Sequence, residues 1–406
     1  MNYSNAEIVV TGIGVYNTIG IHADSFWEQL LAGKNGLRKI DLFDVSEQRA
    51  QTGCQLTELL PSAWFASESE TMGRTTRIVL PPIEEALLQA GLDQADCSGG
   101  KTGLCIGTTM GEIEPLEKAM RGDPNGQTGG PHAIAEQIAT LLALQGPIWT
   151  FTNACAAGNF AIARSMDELR SGRADRMIAA GVDAMSWAAF TGFNSLRAMS
   201  TDACRPFDVT RKGLILGEGA GVLVMERRES AEARGVTPLA HILGYGMTSD
   251  AHHITRPDPK AKGAVRAMRE AVAMAGIHPD QIDYVSAHGT GTMANDRMEA
   301  TALREVFANH PTSVKVSSIK GHIGHTLGAA SAIEAVMSVK ALQTQMLPPT
   351  LHLENLDPAC VADSLHMLRE PWRGKVSLIL SNSYAFGGVN SSIVLSAPQE
   401  GGVFHE

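Results

Sequence analysis

The chain has 406 residues, of which 44% are hydrophobic and 19% charged, and its 33 basic against 43 acidic side chains give a formal charge of −10. Such a composition excludes a disordered chain and suits two to three core units or one large fused core, while its acidic sign argues against a dedicated binder of nucleic acid or of an anionic membrane. The longest apolar runs, such as Gly219–Met225, fall far short of the roughly 20 residues a membrane span needs, and Met1–Val10 carries no basic leader or cleavage site, so a cytoplasmic protein is expected.

Ala6–Val15 reads as a buried strand ended by glycine, and Asp24–Ala32 as a helix N-capped by Asp24. Residues 41–70 have weak periodicity and read as an irregular excursion. Arg77–Ala90 is helical, with Pro81 and Pro82 expected to distort or delay its start. Thr102–Thr108 is a short strand, Gly122–Pro131 a loop, and Pro147–Asn153 a strand running into a small-residue helix, Ala154–Leu169. Strands follow at Arg176–Val182, Gly219–Glu226 and Ala240–Met247, the last two read as neighbours. The second half repeats this rhythm. It has helices at Gly263–Ala275, Asp296–Ala308 and Ala329–Leu342, and strands at Ile282–Ala287, Val314–Ser317, Val376–Ser381 and Ser391–Leu395. The alternation predicts an α/β fold with much parallel sheet, its two similar halves packed as one unit.

Three cofactor-like motifs fail on inspection. Gly12-Ile-Gly14 opens like a dinucleotide fingerprint, but Asn17 stands where the third glycine belongs. Gly100-Lys101-Thr102 ends like a phosphate loop, but Ala95 replaces its first glycine. His322 and His325 have no carboxylate, His or Cys cluster nearby to complete a metal set, so no metal is expected.

Six cysteines (54, 97, 105, 155, 204 and 360) are scattered without a CxxC pair, which argues against a disulfide framework or zinc module. One has a distinctive setting. In Thr152-Asn153-Ala154-Cys155-Ala156-Ala157-Gly158, Cys155 stands at a strand-to-helix junction, where orphan N–H groups and the helix dipole favour a thiolate and small neighbours let a carbonyl approach. The alternative is an inert packing thiol, the commonest fate of a free cysteine. Two histidines strengthen the reactive reading: His288 opens His-Gly-Thr-Gly-Thr after an apolar strand, and His325 ends Lys320-Gly-His-Ile-Gly-His. Both lie in Gly-rich turns past strand ends, where open α/β sheets bind ligands.

With Arg205-Pro-Phe-Asp208, Gly217-Glu-Gly-Ala-Gly221 and Ser381-Asn-Ser-Tyr-Ala-Phe-Gly-Gly-Val-Asn390, these segments resemble, in order and over nearly the whole chain, the decarboxylating, elongating β-ketoacyl-acyl-carrier-protein synthases. The resemblance implies a thiolase fold, two βαβαβαββ halves in an α-β-α-β-α core. Residues 1–245 would carry the nucleophile, and 246–406 the histidines and lysine. It implies that Cys155 holds the growing chain as a thioester, while His288 and His325 polarise the malonyl thioester and assist decarboxylation. Lys320 would tune the site and pair with Glu299. The N–H groups of Cys155 and Phe386 would form an oxyanion hole, with Phe386 gating the acyl pocket. No free cofactor is implied, since acyl and malonyl groups arrive on the phosphopantetheine of an acyl carrier protein. A dimer is implied, either homodimeric or with a ketosynthase-like chain-length-factor subunit. Claisen condensation supports these roles independently: charge develops on a thioester oxygen, which needs pre-placed donors rather than a metal or redox group.

The sequence also departs from the family. Synthases of primary metabolism tend to read Ser-Phe-Gly-Phe-Gly-Gly where this chain has Ser383-Tyr-Ala-Phe-Gly-Gly, so Ala385 should restrict the gate. Tyr384, Met110 and Phe193 are expected in an adapted acyl pocket, which points to a specialised type II fatty-acid, polyketide or polyene pathway. Arg74, Arg77, Arg197, Arg205 and Lys212 are candidates for a carrier-protein patch. A non-catalytic partner subunit would lack the nucleophile, and a simple acyl transferase would need only one histidine. Starter-unit synthases pair Cys with His and Asn, and degradative thiolases use a second, late cysteine. Cys360 does not lie in the Gly-rich turn where that would stand.

Overall fold

A computed structural model describes residues 6–123 and 129–398, so part of the Gly122–Pro131 loop and of the Met1–Val10 segment lies outside the described residues. Eleven strands form one hydrogen-bonded sheet: β1 (Ile8–Asn17), β2 (Thr102–Gly107), β3 (Ile148–Phe151), β4 (Arg176–Asp183), β5 (Gly219–Arg227), β6 (Ala240–Ser249), β7 (Tyr284–Ser286), β8 (Val314–Ser317), β9 (Leu365–Met367), β10 (Leu378–Ala385) and β11 (Val389–Ser396). Their spatial order is β9-β8-β7-β10-β11-β6-β1-β5-β4-β2-β3. Read outwards from the β6–β1 junction, the two sides match. β1 pairs antiparallel with β5 as β6 does with β11. β5 pairs antiparallel with β4 as β11 does with β10. The next two pairings are parallel on both sides. Only Ile8–Val10 of β1 bond to β6, so the halves meet along three residue pairs.

The principal helices are α1 (Ala23–Leu31), α2 (Arg74–Gln89), α3 (Pro131–Leu141), α4 (Ala157–Arg170), α5 (Trp187–Ser195), α6 (Lys262–Met274), α7 (Met293–Val306) and α8 (Ala330–Thr344). Helices α4 and α8 share one apolar core with the inner faces of both halves, while α2 and α3 cover the outside of the first half and α6 and α7 that of the second. This is the expected α-β-α-β-α layering. Small residues make it possible. A Cβ on Gly158 of α4 would meet Ser331 Oγ and the Ala332 amide of α8 at 2.7 and 2.8 Å. Asn159 N donates to Ser331 Oγ at 2.9 Å, locking the two central helices together.

Three sequence expectations are corrected. Helix α1 starts one residue before Asp24, with His22 at the N-cap. Ser25 Oγ accepts from His22 N, while the Asp24 carboxylate pairs with Lys340 of α8 at 2.6 Å. Helix α2 starts at Arg74 and runs through Pro81 and Pro82. Its first amides are capped from outside: Glu112 accepts from Thr75 N and Thr76 N at 3.0 and 2.9 Å, and Glu114 from Arg74 N at 3.1 Å. That tertiary cap fixes the start upstream of the prolines. Finally, β5 and β6 are not neighbours, because β1 lies between them.

Helix α2 lies directly on β1, since a Cβ at Gly12 or Gly14 would overlap the carbonyl oxygens of Ala86 or Pro82. Neither main chain can yield without moving the helix off the sheet. Gly14→Ala is therefore expected to lower the unfolding free energy by about 3 kcal/mol, at the upper end for overpacking. Urea denaturation measures this directly.

Candidate active site

Strand β3 ends in a 3₁₀ turn, Ala154–Ala156, before α4 begins. Ala154 has φ 48°, a left-handed conformation costly for a residue with a Cβ. The second half makes the same elbow: Leu327, at φ 51°, opens the 3₁₀ turn Leu327–Ala329 before α8. Cys155 and Gly328 stand at matching positions. Gly328 cannot carry a side chain, because a Cβ would meet the Thr108 main chain at 2.7 Å, and its N–H donates to Asp183 Oδ2 at 2.6 Å. One elbow carries a thiol; the other is a structural support.

Cys155 is 6% exposed and shares a cavity of about 340 Å³ with His288, His325, Tyr384, Ala385 and Phe386. The histidine rings meet edge to face at 5.3 Å. In each ring Nδ1 is buried without a partner among the described residues, and both residues line the cavity. His322 is turned away, its ring nitrogens against the carbonyl oxygens of Lys34 and Pro349 at 2.8 and 3.2 Å. The expected oxyanion-hole donors converge on the sulfur: the N–H groups of Cys155 and Phe386 both stabilise its ionised form by hydrogen bonding. Ser383 Oγ donates to the Cys155 carbonyl at 2.8 Å and ties β10 to the elbow.

Burial dominates the electrostatics. It pushes the Cys155 thiol up to about 12, against the opposing pull of Lys320 and the two N–H groups. The helix N-terminus therefore does not yield a standing thiolate, contrary to the sequence expectation. Burial, with Lys320 second, holds both histidines well below the ordinary imidazole range, so they are neutral. Lys320 itself is 1% exposed. Its Nζ lies 2.5 Å from Glu334 of α8, not against Glu299 as expected. The Glu299 carboxylate is occupied by the N–H groups of His288 and Gly289, both at 2.8 Å, and burial raises it to about 8. Glu299 thus fixes the turn that aims His288.

The remaining expected residues divide. Phe386 is 38% exposed and stacks on Phe193 at 5.6 Å over the cavity. Ala385 ends β10 without a left-handed φ, whereas Gly387 and Gly388, at φ 85° and 77°, carry the turn. The Ala385 Cβ therefore imposes no strain in this conformation. Tyr384 is buried, its ring 5.8 Å from that of His288, so it walls the histidine side. Met110 does not line the cavity but packs into an apolar cluster with Phe190 and Leu327. Arg74 is unavailable to a partner, since it pairs with buried Glu218 at 2.5 Å. Arg77 is half-buried on α2 and Arg205 pairs with Asp202, while Arg197 and Lys212 are exposed at the cavity rim.

Sequence reasoning missed four carboxylates or cations that build the site. Asp183 ends the apolar strand β4 and accepts from Thr109 N, Met110 N, Gly328 N and Thr108 Oγ1, joining the halves behind Cys155. Glu218 accepts from Leu56 N, Met185 N and Arg74. Glu334 was recognisable as a lone acid in a helix of small and apolar residues. Arg256 lines the cavity from the loop after β6.

A group whose folded pKa is depressed loses its stabilising effect as pH falls through the unfolded value, here near 6.5 for histidine. His288 and His325 should remain neutral through that window while the unfolded chain binds protons. Their ring C–H resonances in NMR are expected not to titrate between about pH 8 and 6.

Comparison with known proteins agrees with this geometry. The family models described as the β-ketoacyl synthase N-terminal and C-terminal domains match residues 5–231 and 239–354. Nodulation protein E of Rhizobium leguminosarum bv. trifolii is 37% identical, over 95% of this chain and 98% of its own. The 3-oxoacyl-[acyl-carrier-protein] synthase 2 of Coxiella burnetii is 34% identical, over 96% and 98%. Among solved structures, the ishigamide ketosynthase/chain length factor superposes with a TM-score of 0.90 at 33% identity, over 97% of this chain and 99% of that one. An elbow bearing Cys155, two neutral histidines and a buried lysine, set in a sheet of matched halves, together with these similarities, place the chain in the β-ketoacyl synthase family.

Proposed function

We propose that the chain catalyses decarboxylative Claisen condensation between an acyl group held on Cys155 and a malonyl group on an acyl carrier protein. The observation that carries this reading is the pair of neutral, cavity-facing imidazoles beside the Cys155 elbow. In the first step Cys155 Sγ attacks the acyl thioester carbonyl. The oxyanion forms against the N–H groups of Cys155 and Phe386, and the carrier thiol departs with the proton that left Sγ. In the second step the malonyl thioester carbonyl accepts hydrogen bonds from the Nε2–H groups of His288 and His325. Its carboxylate leaves as CO2, and the electron pair is held as an enolate. The enolate carbon then attacks the acyl carbonyl on Cys155, forming a C–C bond and expelling the thiolate. The product is a 3-oxoacyl chain on the carrier.

Neutral histidines suit the second step, because a donor must face a carboxylate without being neutralised by it. Burial, with Lys320 second, holds them in that state, and Glu299 aims His288. The two halves, 1–245 and 246–406, would contribute nucleophile and donors respectively. The exposed edge strand β3, with Ile148 and Trp149 at 37% and 40% exposure, supports pairing with a second copy or with a related subunit. The altered run Ser383–Phe386 and the likeness to nodulation protein E and the ishigamide protein support a specialised pathway in the cytoplasm.

Intact-protein mass spectrometry tests the reading. Wild-type protein incubated with acyl-carrier protein should gain one acyl mass, and Cys155→Ala none. His288→Ala and His325→Ala should still acylate, yet release the extended chain about 100-fold or more slowly after malonyl-carrier addition. An unacylated wild-type Cys155 would defeat the proposal.

A further inference from the structure

The cations at the cavity mouth are not equivalent. Arg205 and Lys212 both lean on the Asp202 carboxylate, at 3.0 and 3.9 Å. Arg197 and Arg256 are exposed, line the cavity, and make no ion pair among the described residues. Asp250, the cavity's one lining carboxylate among the described residues, is turned into its own loop: Oδ1 accepts from Asn390 Nδ2 at 2.8 Å and Oδ2 from Asp258 N at 3.0 Å. The mouth is thus locally cationic in a chain whose formal charge is −10.

The segment carrying Arg256 is also held in place. Asp250 N donates to Gly388 O at 2.7 Å, and Gly387 N to Ile254 O at 2.8 Å, so the loop is bonded to the turn that bears Phe386. Arg197 reaches the same cavity from the end of α5. Two guanidinium groups without an ion pair among the described residues thus line one cavity, and each is a planar fork of donors that suits a phosphate rather than a neutral group. We infer that Arg256, assisted by Arg197, binds the phosphate of the phosphopantetheine arm on which the acyl group enters. This rests on the reading of the substrate proposed above. It makes Arg256 a specificity-determining residue that favours phosphorylated thioester donors.

The test is calorimetric titration of the Cys155→Ala protein, in which no transfer occurs, with S-acyl phosphopantetheine and with S-acyl pantetheine of the same chain. The phosphorylated ligand is expected to bind about tenfold or more tightly. Adding Arg256→Gln should bring that advantage close to unity, Arg197→Gln should reduce it, and the affinity for S-acyl pantetheine should not change. Equal affinities at the outset, no binding of either ligand, or an advantage that survives both substitutions overturns the inference. So does an equal loss for both ligands, since the guanidinium would then only shape the cavity. Whether wild-type Cys155 acylates is a separate measurement, so the condensation reading and the phosphate site can fail independently.

Discussion

The site is organised around one buried charge. Lys320 is sealed in the interior, where among the described residues its one ion-pair partner is Glu334 at 2.5 Å. Burying two such ions costs several kcal/mol each, and the pair is a weak source of stability. Its effect on its neighbours is larger than its effect on the fold. Burial depresses His288 and His325, the Lys320 charge adds to that depression, and the same charge opposes the burial that raises Cys155. Glu334 anchors that charge to α8, the helix that begins at the second elbow. The same residue pair therefore links the central layer of the fold to the protonation states on which the proposed chemistry depends.

The matched elbows explain why the two halves can contribute different chemistry from similar frames. Both use a left-handed residue, a 3₁₀ turn and a buried helix N-terminus. In the first, small residues leave room above the sulfur. In the second, Gly328 presses against Thr108 and gives its N–H to Asp183. Asp183 belongs to the first half, so each elbow is braced by the other half. Such bracing fixes geometry more firmly than either half could alone, which suits a site whose donors must be in place before charge develops.

Much of this was legible in the sequence. Alternating apolar strands and helices gave the α/β class, and the glycine-rich turns at His288 and Lys320–His325 marked the strand ends that build the site. The misreadings have a common cause. The start of α2, the partner of Lys320 and the burial of Arg74 were each decided by a carboxylate far away in sequence: Glu112, Glu334 and Glu218. Local pattern carries no information about such partners. The interposition of β1 between β5 and β6 is likewise a property of sheet order. The thiolate expectation failed on magnitude rather than on sign. The N–H groups and Lys320 do favour ionisation, but desolvation outweighs them.

That imbalance bears on how the nucleophile is used. A thiol that burial raises to about 12 is a poor nucleophile and a poor target for oxidants, because reactivity follows the thiolate. In the proposed first step, the two N–H groups that stabilise the sulfur also serve the acyl oxyanion. When a thioester carbonyl enters, proton loss from Sγ and charge build-up on the carbonyl oxygen are drawn by the same donors. The leaving carrier thiol then supplies the acceptor for the proton. On this account the substrate completes the conditions for ionisation, and no standing base is required. A neutral resting site also lets a malonyl carboxylate approach His288 and His325 without exchanging protons with them. Burial that looks unfavourable for Cys155 alone is thus the condition that keeps both histidines as donors.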